Sequence, residues 1–247
     1  MTFEPDIFFE ALLSKGYFQG AVTAITLAVL VQAASIVLGF FLALGRESKR
    51  GWLRTLSAGY VWVFRALPAL LILILIWNAL PQLIPVLKLG WFSPYLAALF
   101  GLTLLETALM AEILRSALAS IPNGQLQAAK ALALKPWSAI WHVQIPQMIR
   151  VAIPPTGNQF INMVKMTSLA SVISLQELLY TAAQDVSRTF SYAEYYSAAA
   201  VYYLVIVSLF MIAQAWAERK FAWTSTLGRS RFRRGSSSPQ TKEVLGV

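Results

Sequence analysis

Residues 124–146 read GQLQAAKALALKPWSAIWHVQIP, a polar, alanine-rich stretch set between two long apolar runs. The residue types predict a short helix with Ala128, Ala129, Leu132 and Leu134 along it. The Lys135-Pro136 step should end that helix, because proline has no amide donor and restricts the residue before it. Loops between membrane spans are usually short and irregular. A folded, alanine-rich helix at a membrane face is instead a handle for a partner.

The apolar runs on either side set the class. The chain has 247 residues, of which 57% are hydrophobic and 13% charged, with a mean hydropathy of +0.61. Soluble domains carry about 45–50% apolar and about 25% charged residues. The excess falls in blocks of roughly 20 residues, the length a helix needs to cross the hydrocarbon core. The expected fold is an all-α polytopic membrane protein with five spans, at about 20–44, 57–80, 94–117, 151–173 and 195–217.

Basic residues orient those spans. Arg46, Lys49, Arg50 and Arg54 follow the first, and Arg115, Lys130, Lys135 and Arg150 flank the loop between the third and fourth. Seven more lie between Arg219 and Lys242, so these three segments hold 15 of the 20 Lys and Arg. By the positive-inside rule the N-terminus is outside, the C-terminus is cytoplasmic, and residues 124–146 face the cytoplasm. The net charge of +9 then reports topology and lipid headgroups, and nucleic acid is not an expected partner. The opening MTFEPDIFFEALLSKG is acidic and amphipathic, unlike a cleaved signal peptide. The sequence divides into an extracytoplasmic segment over 1–19, a transmembrane unit over 20–221 with the loop 118–150, and a basic tail over 222–247. The Arg- and Ser-rich tail reads as a disordered, lipid-facing extension.

Several chemistries are excluded. There are no cysteines and one histidine, His142, so no disulfide framework, no Cys-based metal site and no His pair for zinc; His142 reads as an interfacial loop residue. No G-x4-G-K-[ST] run is present to cradle nucleotide phosphates, nor a G-x-S-x-G elbow or H-E-x-x-H pair. No catalytic or metal-ligating residues are expected. Transport is the stronger class, and its energy must come from a partner or from an ion gradient.

The cytoplasmic stretch resembles the EAA loop of binding-protein-dependent ABC transporter permeases, whose pattern is E-A-A, three residues, G, nine residues, then I-x-L-P. Gln127, Ala128 and Ala129 occupy the opening, Ala133 the glycine position, and Val143, Ile145 and Pro146 the close. Gln127 stands where glutamate is usual. Other segments are similar to the polar-amino-acid subfamily. These are Phe64-Arg65-Ala66-Leu67-Pro68, Ala111-Glu112-Ile113 with Arg115, Pro155 to Phe160, and KMTSLASVI from Lys165 to Ile173.

The resemblance implies a type I importer permease. Its coupling helix would dock in a cleft of a cytoplasmic ATPase through Gly124, Gln127, Ala128, Ala129, Leu132, Ala133 and Leu134, closed by Val143, Ile145 and Pro146. Small side chains at Ala128, Ala129 and Ala133 allow close approach, while Leu132 and Leu134 offer apolar anchors. The alternative is an amphipathic helix lying on lipid. The resemblance further implies an ATPase dimer holding ATP and Mg, with no cofactor in this chain itself. It also implies a second permease, as a homo- or heterodimer, an extracytoplasmic amino-acid-binding protein, and a location in the bacterial inner membrane among its lipids.

Charged residues at membrane depth are candidates for the substrate path. Glu106 lies roughly 17 Å from the outer end of the third span, and Lys165 roughly 22 Å from the cytoplasmic end of the fourth, at 1.5 Å per residue. Asn158, Asn162 and Lys165 recur at i, i+4 and i+7 and so share a face; Thr167 follows. Lys165 could meet a substrate carboxylate and Glu106 an ammonium. Alternatively Glu106 pairs with Lys165, or the asparagines bond between helices. Glu112 and Arg115 read as a structural ion pair. The expected function is uptake of a polar amino acid or related small zwitterion. The competing reading is an ion-driven secondary transporter or channel acting alone, which usually shows two related halves.

Overall fold

The computed structural model describes residues 3–221; the basic tail over 222–247 lies outside the described residues. Those residues are almost wholly helical, and no strand occurs among them. A short helix α1 (Pro5–Leu13) leads into α2 (Lys15–Arg46), whose N-cap Ser14 accepts a bond from the Tyr17 amide. Next come α3 (Gly51–Ala66), α4 (Ala69–Ile74), a π turn (Leu75–Ala79), α5 (Leu80–Leu83) and α6 (Pro94–Ala119). The loop carries α7 (Asn123–Ala131), α8 (Pro136–Ala139) and a second π turn (Ile140–Gln144). It runs directly into α9 (Ile145–Met166) and a 3-10 turn (Thr167–Ile173), followed by α10 (Leu178–Thr189) and α11 (Tyr192–Phe221).

Among the described residues three helices are long and apolar enough to cross a membrane, α2, α6 and α11 over 192–220, and a bent pair over 51–83 passes the same test only as one broken span. The three helices contain the first, third and fifth expected spans. The second differs from expectation. Instead of one helix over 57–80, the chain breaks between Ala66 and Ala69 and bends by 101°. Pro68 is the reason, since its ring pushes Leu67 out of the helical region, to φ −85° and ψ 136°. The fourth is also displaced. Its helix begins well before residue 151 and ends at Met166, and Ser174 at φ 62° finishes the 3-10 turn that follows. Asn158, Gln159, Asn162 and Lys165 keep α9 too polar to pass as a span on apolarity alone.

Both π turns end two residues before the proline that follows, Pro81 or Pro146. In each the closing amide reaches back five residues, Leu80 to Leu75 and Ile145 to Ile140. A proline lacks the amide and its ring crowds the carbonyl four residues back, so a wider turn lets the helix continue. Residues 136–166 therefore run on as one helical rod, within which Pro154 and Pro155 supply no amide to the backbone ladder.

The core is built on α2 packed against α6. Ala28, Ala43, Ala108 and Ala111 are buried along these helices, and Gly39 is the closest approach. A Cβ built there would stand 2.8 Å from Met110 Cβ and 2.9 Å from the Ala111 amide nitrogen. Leu27, Val31, Leu73, Leu102, Met163 and Ile173 fill the centre with no exposed surface beyond 1%. Without a hydrophobic force between helices in lipid, such close packing by small residues is what holds them.

Candidate functional site

The segment expected to couple is a nine-residue helix, α7, that ends earlier than its alanines suggest. The last helical residue is Ala131. The Ala133 amide donates to the Lys130 carbonyl at 2.9 Å, and the Leu134 amide donates to the Ala129 carbonyl at 3.1 Å. Those two bonds are a Schellman cap, which needs a left-handed residue at its centre. Ala133 supplies it at φ 54°. Ala133, Leu134 and Leu132 are thus in the cap and not in the helix, which corrects the sequence expectation. The signature's glycine position is the left-handed one.

Side-chain placement divides the segment. Gly124, Gln127 and Ala128 are exposed on α7, and a Cβ at Gly124 would meet nothing within 4 Å. Leu132 is 76% exposed, and Leu134 is also open to solvent. Ala129 is only 3% exposed, because α7 packs back on α8 and the π turn after it. It supports the cap and does not belong to a docking face. Val143 and Ile145 are half-buried in the rod, and Pro146 is exposed. Trp137 and Trp141 meet edge to face, 5.7 Å between centroids, and the exposed His142 ring Nδ1 lies 3.0 Å from the Ser138 carbonyl oxygen.

A charged cluster sits where α2, α3 and α6 meet. Glu112 Oε1 accepts from Arg115 Nε at 3.1 Å and Nη2 at 2.6 Å, and its Oε2 accepts from Arg46. Arg65, in the last turn before the bend, stands 3.8 Å from Glu112, and Arg115 stands 3.7 Å from Glu47. The Glu112–Arg115 pair is therefore part of a larger network. Arg46, Glu47 and Arg65 were not legible as members, since only the helix crossing brings them in.

The polar residues expected at membrane depth fall into two groups. Glu106 has no exposed surface; its Oε2 accepts from Gln159 Nε2 at 2.9 Å, and its Oε1 has no partner among the described residues. Gln32 Oε1 on α2 and Thr103 Oγ1 on α6 are likewise buried and unpartnered. Asn158, Asn162 and Lys165 are exposed on another side of α9, and Asn158 Oδ1 accepts from Gln214 Nε2 on α11 at 3.1 Å. Thr167 is buried and donates to the Val164 carbonyl at 2.8 Å. No ion pair joins Glu106 to Lys165 among the described residues. Gln159, missed as a site residue, is the link between α9 and Glu106. Its only signal was its place beside Asn158.

No group of three or more His, Cys, Asp and Glu that could hold a metal occurs among the described residues. An exposed helix joined to a helical rod with a polar face is suited to moving.

Known proteins agree with this. Residues 35–223 match the family described as the binding-protein-dependent transport system inner membrane component. The chain is 37% identical to the probable amino-acid permease protein YxeN of Bacillus subtilis, over 78% of this chain and 85% of that protein. It is 35% identical to the octopine transport system permease protein OccM of Rhizobium meliloti, over 89% and 93%. Among solved structures, an amino acid ABC transporter crystallised with histidines superposes with a TM-score of 0.77 at 28% identity, over 89% of this chain and 100% of that one. The methionine transporter MetNI, at 17% identity and a TM-score of 0.70, shares the fold. The chain belongs to the binding-protein-dependent transport system inner membrane components, the ABC permease subunits that carry translocation while ATP hydrolysis resides in a separate subunit.

Proposed function

We propose that the chain is the permease of an importer for a polar amino acid or related small zwitterion, in the bacterial inner membrane. In this reading it spans five times, N-terminus outside, with α9 and the bent α3–α5 segment as the less apolar crossings. Residues 20–221 form the translocating unit, residues 1–19 stand outside, and 222–247 form a cytoplasmic tail. An ATPase dimer holding ATP and Mg, a second permease and an extracytoplasmic binding protein complete the transporter. The relatives' amino-acid and octopine names support the substrate class.

The observation that carries the reading is the exposed α7, locked by its cap onto the continuous rod 136–166. Gln127, Ala128, Leu132 and Leu134 form its outer surface, and small side chains there let an ATPase cleft come close. In this reading the continuous helical link carries closure of two ATPases toward the far end of the rod. There Asn158, Asn162 and Lys165 present polar groups to the route, with Lys165 placed for a carboxylate. On the same reading the buried Glu106 bears on the route through Gln159, whose amide it accepts from.

Co-purification tests this. The chain is expressed with its cognate ATPase, and Ala128→Glu places a charge in the docking surface without touching the buried Ala129. Loss of the ATPase and of transport, with the variant still folded, is the expected result. Transport by the chain alone, independent of any ATPase, would overturn it.

A further inference from the structure

An apolar cavity of about 500 Å³ lies between α2 and the α8–α9 rod. Val37, Phe40 and Phe41 form one wall, and Trp141, Ile149 and Ile153 the other. Met148 and Ala152, each 5% exposed, close its floor, while Val37 and Phe41 at the rim are 56% and 59% exposed.

We propose that this groove seats an acyl chain of an anionic phospholipid from the cytoplasmic leaflet. Helix geometry says which way it faces. Asn158 and Asn162 follow Ile149 and Ile153 by nine residues, about two and a half turns, which puts them on opposite sides of α9. With the polar side turned to the route, as in the importer reading on which this inference rests, the groove turns to lipid.

Charge selects the headgroup. Between Glu112 and Glu177 there is no acidic residue, while Lys135 stands two residues before Trp137 and Lys130 seven. The stretch after the other wall, residues 46–50, carries three basic residues and one acid, Glu47, which stands 3.7 Å from Arg115, and Lys49 and Arg50 are exposed. Paired tryptophans belong at headgroup level, and basic residues beside them attract anionic lipid. The site lies at the root of the coupling segment, so its occupant contacts the rod that α7 would drive.

Native mass spectrometry of the detergent-purified protein, titrated with phosphatidylglycerol or phosphatidylcholine, is the test. Val37→Trp and, from the other wall, Ile149→Trp fill the groove from exposed rim positions; Leu209→Trp, on exposed α11 surface, is the control. The expected result is phosphatidylglycerol binding weakened by about tenfold or more in both groove variants and unchanged in the control. Equal binding in all three, or no preference over phosphatidylcholine, overturns the proposal. So does a cross-link between two copies through Val37→Cys, which shows a second chain in the groove. Lipid binding is read on the chain with or without the ATPase, so failure of the importer reading is distinguishable.

Discussion

Replacing Ala133 by glycine should stabilise the coupling segment, and the sign of that effect reports the backbone. Ala133 holds φ 54° at the centre of the Schellman cap. An L-residue in that conformation costs roughly 1–2 kcal/mol that glycine does not pay. Glycine loses about 0.4–1 kcal/mol of that gain through the larger entropy of its unfolded chain. The net is a stabilisation of about 0.5–1 kcal/mol, confined to α7 and its cap. Were Ala133 an ordinary helical residue, the same change would destabilise by about 1 kcal/mol. Hydrogen exchange measures the difference directly, because α7 opens locally and not with the whole protein. Protection of the Leu132 and Leu134 amides should rise roughly two- to fivefold in Ala133→Gly, that energy expressed as an opening equilibrium. Ala133→Asn should fall between the two, since asparagine tolerates the left-handed region better than most residues. Lower protection in the glycine variant would refute the cap.

Three further outcomes follow from the packing. Gly39→Ala should cost about 1–3 kcal/mol by overpacking α2 on α6, read as a lower thermal midpoint in detergent, whereas Gly124→Ala meets no atom and should be neutral or stabilising. Gln159→Leu leaves the buried Glu106 without its donor and should cost about 1–3 kcal/mol, while Glu106→Leu combined with Gln159→Leu should recover most of it; strictly additive losses would remove the proposed pairing. Gln127→Glu, which restores the charge of the resembled signature on an exposed position, should leave transport near wild type in a vesicle uptake assay. A large loss would show that the partner surface is adapted to the neutral amide.

Much of the architecture was readable along the chain. The apolar blocks that became α2, α6 and α11 announce themselves by length, since covering the hydrocarbon core takes about 20 residues whatever surrounds them. Pro68 carried its own warning. It sits inside an apolar run that otherwise reads as one span, and a proline acts on its neighbour through local sterics alone. The helix at 123–131 was visible in its composition; its end was not. Alanine is the strongest helix former, so nothing about Ala133 suggests that it leaves the helix. Two hydrogen bonds and the packing of Ala129 against the following turn decide it.

The candidate site divides the same way. That the asparagines share a face of α9 follows from residue spacing, as does the expectation that they, Glu106 and Lys165 lie at depth. Which of them meet is not a property of spacing. Glu106 finds Gln159, 53 residues on, and Arg46 finds Glu112 across 66. Those meetings depend on how α2, α6 and α9 rotate about their axes and where they cross. Contacts such as Gly39 on Met110 fix that rotation. Local terms, the cost of exposing backbone to lipid and the reach of a proline, are written residue by residue and determined the class, the helices and the loop. Pairing across helices is a property of the packed bundle, so the tertiary structure alone decided the cap at Ala133, the burial of Glu106 and the face that α9 turns to its partners.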